Sequence, residues 1–347
     1  MENKVFDFIH PSGCDNIGEF NQKDLTHLWD LLDLYLIALR DNLGLSTTTT
    51  FGTELEFEQA KVTPILKELR QQNFSNWKLV DDPSLIDCKG AEVVSPILYD
   101  TSKNWQDLAQ VCSIIRPNGV VGNYCAGHVN IGAHLLGSNV DKWMRFIKMW
   151  SIYERVIYRF SYGEYLTPPS NINEYAEPMA IDFMKCHKML KNRDATLDEI
   201  IHYGQNRKHQ GVSLAKVKNI DEFSLDNVIE FRCPNATLDP IIWQNNINFF
   251  VRLLEYCSSD RYDEDKIEQR RRIINRQGYN FNGQLSYYNE IYIEDAIELC
   301  DLIFNNNLDK LNFLRQYTKS FAITNQNDKR NQFVLEQAKK MTRTKTV

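Results

Sequence analysis

Hydrophobic residues recur along the chain with two spacings, one typical of helices and one typical of strands. Apolar positions three to four residues apart predict helices over 21–42 and 140–160. Residues 47–58 alternate between polar and apolar side chains, which favours a strand. The same rules predict further helices over 64–72, 105–115, 179–189, 196–203 and 239–257, and further strands in WKLV, GAEVVSPIL, GHVNIG and NVIEFRCP.

Strands and helices thus mix along the chain without a regular strand–helix–strand rhythm. This order predicts an α+β fold built on a largely antiparallel sheet. One face of such a sheet packs against helices, while the other can stay open. From about residue 262 onward the chain reads as helices joined by Asn-rich turns, which predicts a helical C-terminal region.

The composition and charge of the chain disfavour some binding partners and locations. The 347 residues carry a net charge of −6, which disfavours binding to nucleic acid in the absence of a basic stripe. Eight scattered cysteines without a C-x-x-C pair are typical of reduced thiols in a cytoplasmic protein. The N-terminal segment does not resemble a signal peptide, and the most apolar helical segment is interrupted by aspartates. We therefore expect a cytoplasmic protein that binds neither nucleic acid nor membrane.

The stretch FGTELEFE places three glutamates, Glu54, Glu56 and Glu58, on one strand face, because successive side chains point to opposite faces. Side chains two residues apart lie roughly 6.6 Å from each other along a strand. At that range two carboxylates repel by about 0.6 kcal/mol in water, but by roughly 2.5 kcal/mol at an effective dielectric of 20. The face is therefore either a solvated edge or a cation site, and Glu58 at its end fits a solvated neighbour.

Three other predicted strands show the same division into an apolar face and a polar face. Their polar faces carry His128 and Asn130 in GHVNIG, Glu230 and Arg232 in VIEFRC, and Glu92 in AEVVSP. Mg²⁺ usually binds one or two carboxylates together with substrate phosphates. The planar donor fork of an arginine suits non-bridging phosphate oxygens. Together these faces favour a site that neutralises a transferring phosphoryl group.

Five stretches, in a fixed order, carry a family resemblance: FGTELEFE, DDPSL, GAEVVSP, CAGHVNIG and IEFRCPNATLDP. They resemble the amidoligase family of the carboxylate–amine ligase superfamily, which includes glutamine synthetase and glutamate–cysteine ligase. The resemblance runs from about Thr50 to Tyr256. It implies a glutamine synthetase-like fold with a concave antiparallel sheet backed by helices. The expected parts are a helical lead-in (1–45), a catalytic domain (46–257) and a C-terminal helical extension packed on that domain (258–347).

The resemblance also implies a reaction and its site. ATP, with Mg²⁺ or Mn²⁺, would phosphorylate a small-molecule or peptide carboxylate, and an amine would attack the acyl phosphate to form an amide. The implied metal ligands are Glu54, Glu56, Glu92, His128 and Glu230. Glu54, Glu56 and Arg232 would serve catalysis, and Arg232 would bind the nucleotide; our own interpretation adds Asn130 to the nucleotide-binding residues.

Two positions depart from the pattern of the family. Asn130 stands where many relatives carry a second histidine, and we interpret it as a donor to phosphate. Pro83 replaces the usual glycine in a turn whose flanking residues, Asp82 and Ser84, lie near the metals or substrate in the family. Ser95 and Arg207 are further candidates for substrate contact.

Other interpretations of these residues remain open. The same acids and His128 could activate water in a metal-dependent hydrolase of an amide or phosphate ester, although the sequence lacks the H-E-x-x-H motif. A non-catalytic binding module on the same fold is a third hypothesis. Glu154 lies on the apolar stripe of its predicted helix, so we expect it to accept a structural hydrogen bond. Cys125 and Cys233 are expected to serve packing.

Overall fold

A computed structural model of the protein describes residues 38–122, 124–165, 172–205, 209–218, 224–276 and 292–318. These residues fall into two compact units. The larger unit takes in residues 39–154 and the described part of 169–284, and the smaller unit takes in residue 38, residues 155–165 and residues 292–318. The predicted boundaries at residues 45 and 257 stay predictions.

The larger unit is built on one six-stranded sheet in which every pair of neighbouring strands is antiparallel. The strands lie in the order β2-β3-β1-β4-β6-β5. Their bounds are Phe51–Phe57 (β1), Lys78–Val80 (β2), Ala91–Val94 (β3), Gly127–Gly132 (β4), Val212–Ser213 (β5) and Val228–Phe231 (β6). The predicted α+β class and antiparallel sheet are confirmed. Sequence reasoning did not find the two-residue strand β5.

Helices occupy the segments between the strands and most of the described chain after β6. Their bounds are Val62–Gln71 (α1), Ser102–Ile115 (α2), Val140–Ser161 (α3), Ile172–Tyr175 (α4), Ala180–Leu190 (α5), Leu197–Gly204 (α6), Pro240–Ser258 (α7), Glu264–Arg276 (α8), Ile293–Ile303 (α9) and Asn307–Thr318 (α10). Short 3₁₀ turns cover Pro83–Cys88 and Ala133–Leu135. No helix in the described ranges is long and apolar enough to cross a membrane.

The predicted helix over 21–42 is wrong at its C-terminal end. Residues 38–42 are irregular, and the rest of that prediction lies outside the described residues. The backbone N–H groups of Leu43 and Leu45 donate instead to the carboxylate of Asp100, at 2.8–2.9 Å. Within the predicted helix itself, the N–H and the carbonyl of Arg40 pair with the side chain of Gln244, both at 2.9 Å. Distant side chains thus satisfy backbone groups in place of a helical turn.

Aromatic side chains on one face of the sheet form its packed face. The ring of Phe231 stacks on Phe250 of α7 at a centroid distance of 4.0 Å and on Trp150 of α3 at 5.9 Å. Phe51 stacks on Trp105 of α2 at 5.0 Å. Full burial of one such side chain stabilises the fold by about 1.5–3 kcal/mol. The sheet is therefore backed by helices, as the sequence predicts.

Glu154 is buried on α3 within the larger unit, and it is satisfied by local donors. Its Oε1 atom accepts hydrogen bonds from the Trp150 indole at 2.8 Å and from the Met179 backbone N–H at 2.7 Å. The predicted structural role of this acid is thus confirmed. Cys125 and Cys233 are both buried, and Cys125 packs with Leu85, consistent with packing.

The smaller unit contains the last residues of α3 together with α9 and α10. Phe160 stacks on Phe313 of α10 at a centroid distance of 4.8 Å. Arg155 forms an ion pair with Asp295, and its guanidinium lies 3.9 Å from the centre of the Tyr292 ring. These contacts give the unit a core in which buried charge is paired.

Candidate functional site

The face of the sheet opposite the aromatic packing carries all five predicted metal ligands. In the register of the sheet, Glu56 lies opposite Glu92 and Glu54 lies opposite His128. Directly paired residues point to the same face. Glu230 joins them, because it pairs with the residue two after His128. We call the side chains of Glu54, Glu56, Glu92, His128 and Glu230 the acidic face.

His128 lies at the centre of the acidic face, within reach of three carboxylates. Its Nδ1 atom is 2.8 Å from Glu54 Oε2 and 3.8 Å from Glu230 Oε1. Its Nε2 atom is 3.7 Å from Glu56 Oε1. The ligand atoms of Glu54, His128 and Glu230 all lie within 4.8 Å of one another. The imidazole could thus coordinate a cation from Nδ1 on one side or from Nε2 on the other.

Two buried polar atoms of the site lack a hydrogen-bond partner within the described residues: His128 Nε2 and Asn130 Oδ1. A buried polar atom without a partner usually costs about 1–3 kcal/mol. Both atoms can coordinate a metal or, in the case of Asn130, accept a hydrogen bond from a ligand. Both atoms are therefore the kind of group that a bound cation would satisfy, provided that His128 gives up its Nε2 proton as the cation binds.

The charges of the acidic face are only partly balanced by the protein. Burial raises the pKa of Glu56 to about 7. Burial, and then the charge of Glu54, raises the pKa of Glu92 to about 8. The charge of Asp82 acts in the same direction on both. Neighbouring carboxylates that resist ionisation fit a site that takes up a divalent cation with oxygen ligands.

Glu54 shows the opposite behaviour. Burial would raise its pKa, but the hydrogen bond and charge of His128, with Lys216 and Asn130, lower that pKa to about 2. For His128, burial would lower the pKa, but the hydrogen bond to Glu54 and the charge of Glu56 raise it. Glu54 is therefore ionised and held in one orientation, which suits a metal ligand.

Arg232 is placed beside the acidic face by two contacts. Its Nη1 donates to Glu230 Oε1 at 2.9 Å, and its Nε donates to the backbone carbonyl of Tyr175 at 3.1 Å. These contacts fix the plane of the guanidinium. The predicted arginine thus lies next to a candidate metal ligand, where it could contact an anion that the metal also contacts.

Asn130 donates from Nδ2 to Glu54 Oε1 at 2.8 Å. It therefore orients a candidate metal ligand, and its predicted contact with phosphate stays a prediction. The backbone N–H of Ala126 likewise donates to Glu56 Oε2 at 2.6 Å. Both acids of β1 are thus positioned by neighbours, as metal ligands commonly are.

The residues predicted to contact the substrate differ in their distance from the acidic face and in their hydrogen bonds. Asp82 lies close enough to Glu56 and Glu92 to affect their pKa, and its Oδ1 accepts the N–H of Ser84 at 2.7 Å. The hydroxyl of Ser95 accepts the N–H of Thr53 at 2.9 Å, so it serves the backbone of the sheet. Arg207 lies outside the described residues.

Sequence reasoning missed two features of the site. Lys216, on the turn after β5, lies with its Nζ 3.5 Å from Glu54 Oε1. Glu58 is a half-buried anchor rather than a solvated neighbour, since its carboxylate accepts the N–H of Tyr124 at 3.1 Å. A Cβ atom on Gly122 would lie 2.1 Å from that carboxylate, so glycine allows the loop to approach. The pattern G-x-Y-C-A-G before β4 was the available signal for this loop.

The chain resembles a known protein family over more than half of its length. Among curated proteins no match is found. A family model described as "Putative amidoligase enzyme" matches residues 47–254. The match covers the whole sheet, α2, α3 and most of α7, and it agrees with the extent of the resemblance seen in the sequence. The description of the family indicates an amide-forming ligase in general, and the chain belongs to this amidoligase family.

Proposed function

We propose that the protein is an ATP- and Mg²⁺-dependent ligase that joins a carboxylate to an amine through an acyl-phosphate intermediate. The carboxylate would attack the γ-phosphorus of ATP and release ADP. The amine would then attack the acyl carbon, form the amide and release inorganic phosphate. The substrates are expected to be small molecules or peptides. We also propose that the sheet is of the glutamine synthetase-like type.

The observation that carries this proposal is the convergence on His128. Carboxylates from β1 and β6 bring ligand atoms within 4.8 Å of one another around a buried imidazole. Buried carboxylates are costly unless they are paired or coordinate metals. Phosphoryl transfer relies on positioning and on charge stabilisation, and this arrangement is suited to both.

The position of each side chain in the site suggests its role in the reaction. Glu54, Glu56, Glu92, His128 and Glu230 would hold one or more Mg²⁺ ions. The metal, when bound, would neutralise charge on the phosphate oxygens. Arg232, oriented by Glu230 and Tyr175, would contribute donors to the transferring phosphoryl group. Asn130 would hold Glu54 in place and, with Arg232, contact the nucleotide.

Substrate recognition would fall to groups at the edge of the acidic face. Asp82 and Ser84 lie on the turn after β2 and are proposed to contact the substrate, together with Ser95 and Arg207. For Ser95 to contact the substrate, its hydroxyl would have to give up the hydrogen bond that it accepts from the N–H of Thr53. Nothing in the sequence resembles a phosphate-binding glycine loop, so the nucleotide would depend on the metals and the sheet.

An isotope-transfer experiment tests the proposal directly. The purified protein is given ATP, Mg²⁺, a panel of amines and a panel of carboxylates labelled with ¹⁸O. In the proposed reaction one labelled carboxylate oxygen bridges to the γ-phosphorus, so the released phosphate carries one ¹⁸O atom. Unlabelled phosphate and turnover without ATP would instead favour the metal-dependent hydrolase. Absence of binding of both Mn²⁺ and ATP by calorimetry would leave only the non-catalytic binding module.

A further inference from the structure

Lys216 is the one ammonium group among the described residues that lies between two candidate metal ligands. Its Nζ is 3.5 Å from Glu54 Oε1 and 3.9 Å from Glu230 Oε1. The residue lies on the short turn that follows β5, outside the strands that carry the acidic face. Its position depends on the loop and not on the sheet.

These contacts are loose compared with the others in the site. Charge-assisted hydrogen bonds between nitrogen and carboxylate oxygen are commonly about 2.7–2.9 Å long. Asn130 and His128 meet Glu54 at 2.8 Å, whereas the ammonium stands 0.7 Å further away (3.5 minus 2.8). Loose ion pairs with an exposed partner contribute little to stability. The ammonium is therefore held by the field of the acids rather than by a fixed bond.

The exposure of Lys216 allows it to leave. Its side chain is 47% exposed, whereas those of Glu54 and Glu230 are 15% and 7% exposed. A lysine stem has several rotatable bonds and a strongly hydrated head. Rotation of that stem into solvent leaves the strands and their hydrogen bonds unchanged.

An ammonium group and a divalent cation cannot both occupy this place. The candidate metal site consists of Glu54, His128 and Glu230. The oxygen atoms that contact Lys216 belong to two of these residues, Glu54 and Glu230. Like charges within a few ångströms repel strongly in a partly buried site. Arg232 contacts the same Oε1 atom of Glu230, but at 2.9 Å and with a second hydrogen bond to the Tyr175 carbonyl, so it is not the group that would yield.

We propose that Lys216 is an exchangeable counter-ion that occupies the metal site in the metal-free protein and is displaced when a divalent cation binds. This inference rests on the proposed function, since it takes the acidic face to be a metal site. After displacement the ammonium lies at the margin of the site, where it contacts the polyphosphate that the metal brings. Lys216 therefore weakens binding of the bare cation and strengthens binding of the cation–nucleotide complex.

The test compares Mn²⁺ titrations, followed by electron paramagnetic resonance, of the wild type and three variants. Lys216→Met removes the ammonium and keeps most of the stem. Lys218→Met is the matched control, because Lys218 is on the same loop and has no ion pair with the acidic face within the described residues. We expect Lys216→Met to bind Mn²⁺ about tenfold more tightly, which corresponds to about 1.4 kcal/mol. The control should match the wild type within about twofold.

A second titration uses Mn²⁺ at saturation and a non-hydrolysable ATP analogue. Here the sign should reverse, with Lys216→Met binding the analogue about tenfold more weakly than the wild type. Lys216→Arg, which keeps the positive charge, should resemble the wild type in both titrations. The Lys218→Met control separates displacement from a general loss of positive potential, because such a loss would shift both titrations in Lys218→Met as well.

Three outcomes would overturn the inference. Equal Mn²⁺ affinity in the wild type and Lys216→Met would overturn it while leaving the proposed metal site intact. An equal shift in Lys218→Met would show a general effect of loop charge, and would also overturn it. Binding of Mn²⁺ by none of the proteins would overturn the proposed metal site and the inference with it. Circular dichroism of the variants confirms that each one is folded.

Discussion

The two faces of one sheet bury their side chains to a similar extent, but for different reasons. On the aromatic side Leu55 and Phe231 are essentially inaccessible, at 1% and 0% exposure. On the acidic face Glu56, His128 and Glu230 are almost as inaccessible, at 4%, 5% and 6%. Burial of apolar surface stabilises the fold, whereas burial of charge costs free energy unless a partner offsets it. Burial alone therefore does not identify a hydrophobic core. Buried charge without a full set of protein partners instead indicates the face that binds a ligand.

The largest change in free energy is expected from a substitution on the aromatic side of the sheet, where it lowers the stability of the fold. Phe231→Ala leaves a cavity between Phe250 and Trp150, and should lower the free energy of unfolding by about 3–5 kcal/mol. Phe231→Leu should cost less, about 1–2 kcal/mol. Denaturant titrations of both variants measure the difference. A loss below about 1 kcal/mol for the alanine variant would show that the stacking contributes no more than an exposed contact.

On the acidic face the expected effect falls on function. Glu54→Gln keeps the shape of the side chain but removes the charge that His128, Asn130 and Lys216 now meet. We expect amide formation to fall by about 10²–10³-fold, which is about 3–4 kcal/mol of transition-state stabilisation.

Product formation and Mn²⁺ binding measure this effect together. Asp107→Asn, which removes an acid from α2, is the control and should leave both unchanged. If Glu54→Gln retains more than about a tenth of the activity, Glu54 is not a metal ligand in the reaction.

A buried acid outside the site offers a sharper comparison. Glu154→Ala leaves the Trp150 indole and the Met179 N–H without the carboxylate they share, and should lower the free energy of unfolding by about 2–3 kcal/mol. Mn²⁺ affinity should stay within about twofold of the wild type, because this acid lies on α3 and not on the acidic face. A tenfold change in that affinity would contradict the separation of structural from functional acids.

The smallest expected effect is a dependence of stability on pH in the metal-free protein. The pKa of Glu92, about 8 in the fold, lies above its ordinary value of 4.5. The folded protein therefore holds this proton more tightly than the unfolded chain does. The stabilising contribution is complete below an acidic pH near 4.5 and is lost as the pH rises toward 8. Glu56, with a pKa of about 7, contributes with the same sign over a narrower window.

Glu92→Gln removes one of these titrating groups. Between about pH 5 and about pH 8, the metal-free wild type should lose on the order of 2 kcal/mol relative to Glu92→Gln. Saturating Mg²⁺ should stabilise the wild type and reverse the difference, because a cation favours the ionised carboxylates. Thermal unfolding of both proteins across this range gives the comparison. If the stability of the two proteins depends on pH in the same way, with and without Mg²⁺, Glu92 is neither the titrating group nor a metal ligand.

Alternation along the strands was enough to predict which side chains share the acidic face. Because the period of a strand is two, Glu54 and Glu56 had to lie on one face once Leu55 lay on the other. Antiparallel pairing then aligned His128 with Glu54. The helices α3 and α7, which carry much of the aromatic packing, followed from helical spacing in the same direct way.

Residues on loops could not be predicted in this way, because no period governs where a loop folds back. Lys216 reaches the acidic face only through the turn after β5, a strand of two residues. The cap that Asp100 gives to Leu43 and Leu45 joins residues more than fifty positions apart, so local spacing does not reveal it. The role of Glu58 likewise depends on the distant loop at Tyr124.

The role proposed for the acidic face is to hold a divalent cation for phosphoryl transfer. Crystals grown with Mn²⁺ and a non-hydrolysable ATP analogue test it through the anomalous scattering of manganese. We expect a peak at roughly 2.0–2.3 Å from oxygen or nitrogen atoms of Glu54, His128 and Glu230, with the analogue's phosphates on the same ion. Well-diffracting crystals that hold the analogue elsewhere, with no manganese peak among these three side chains, would contradict the account.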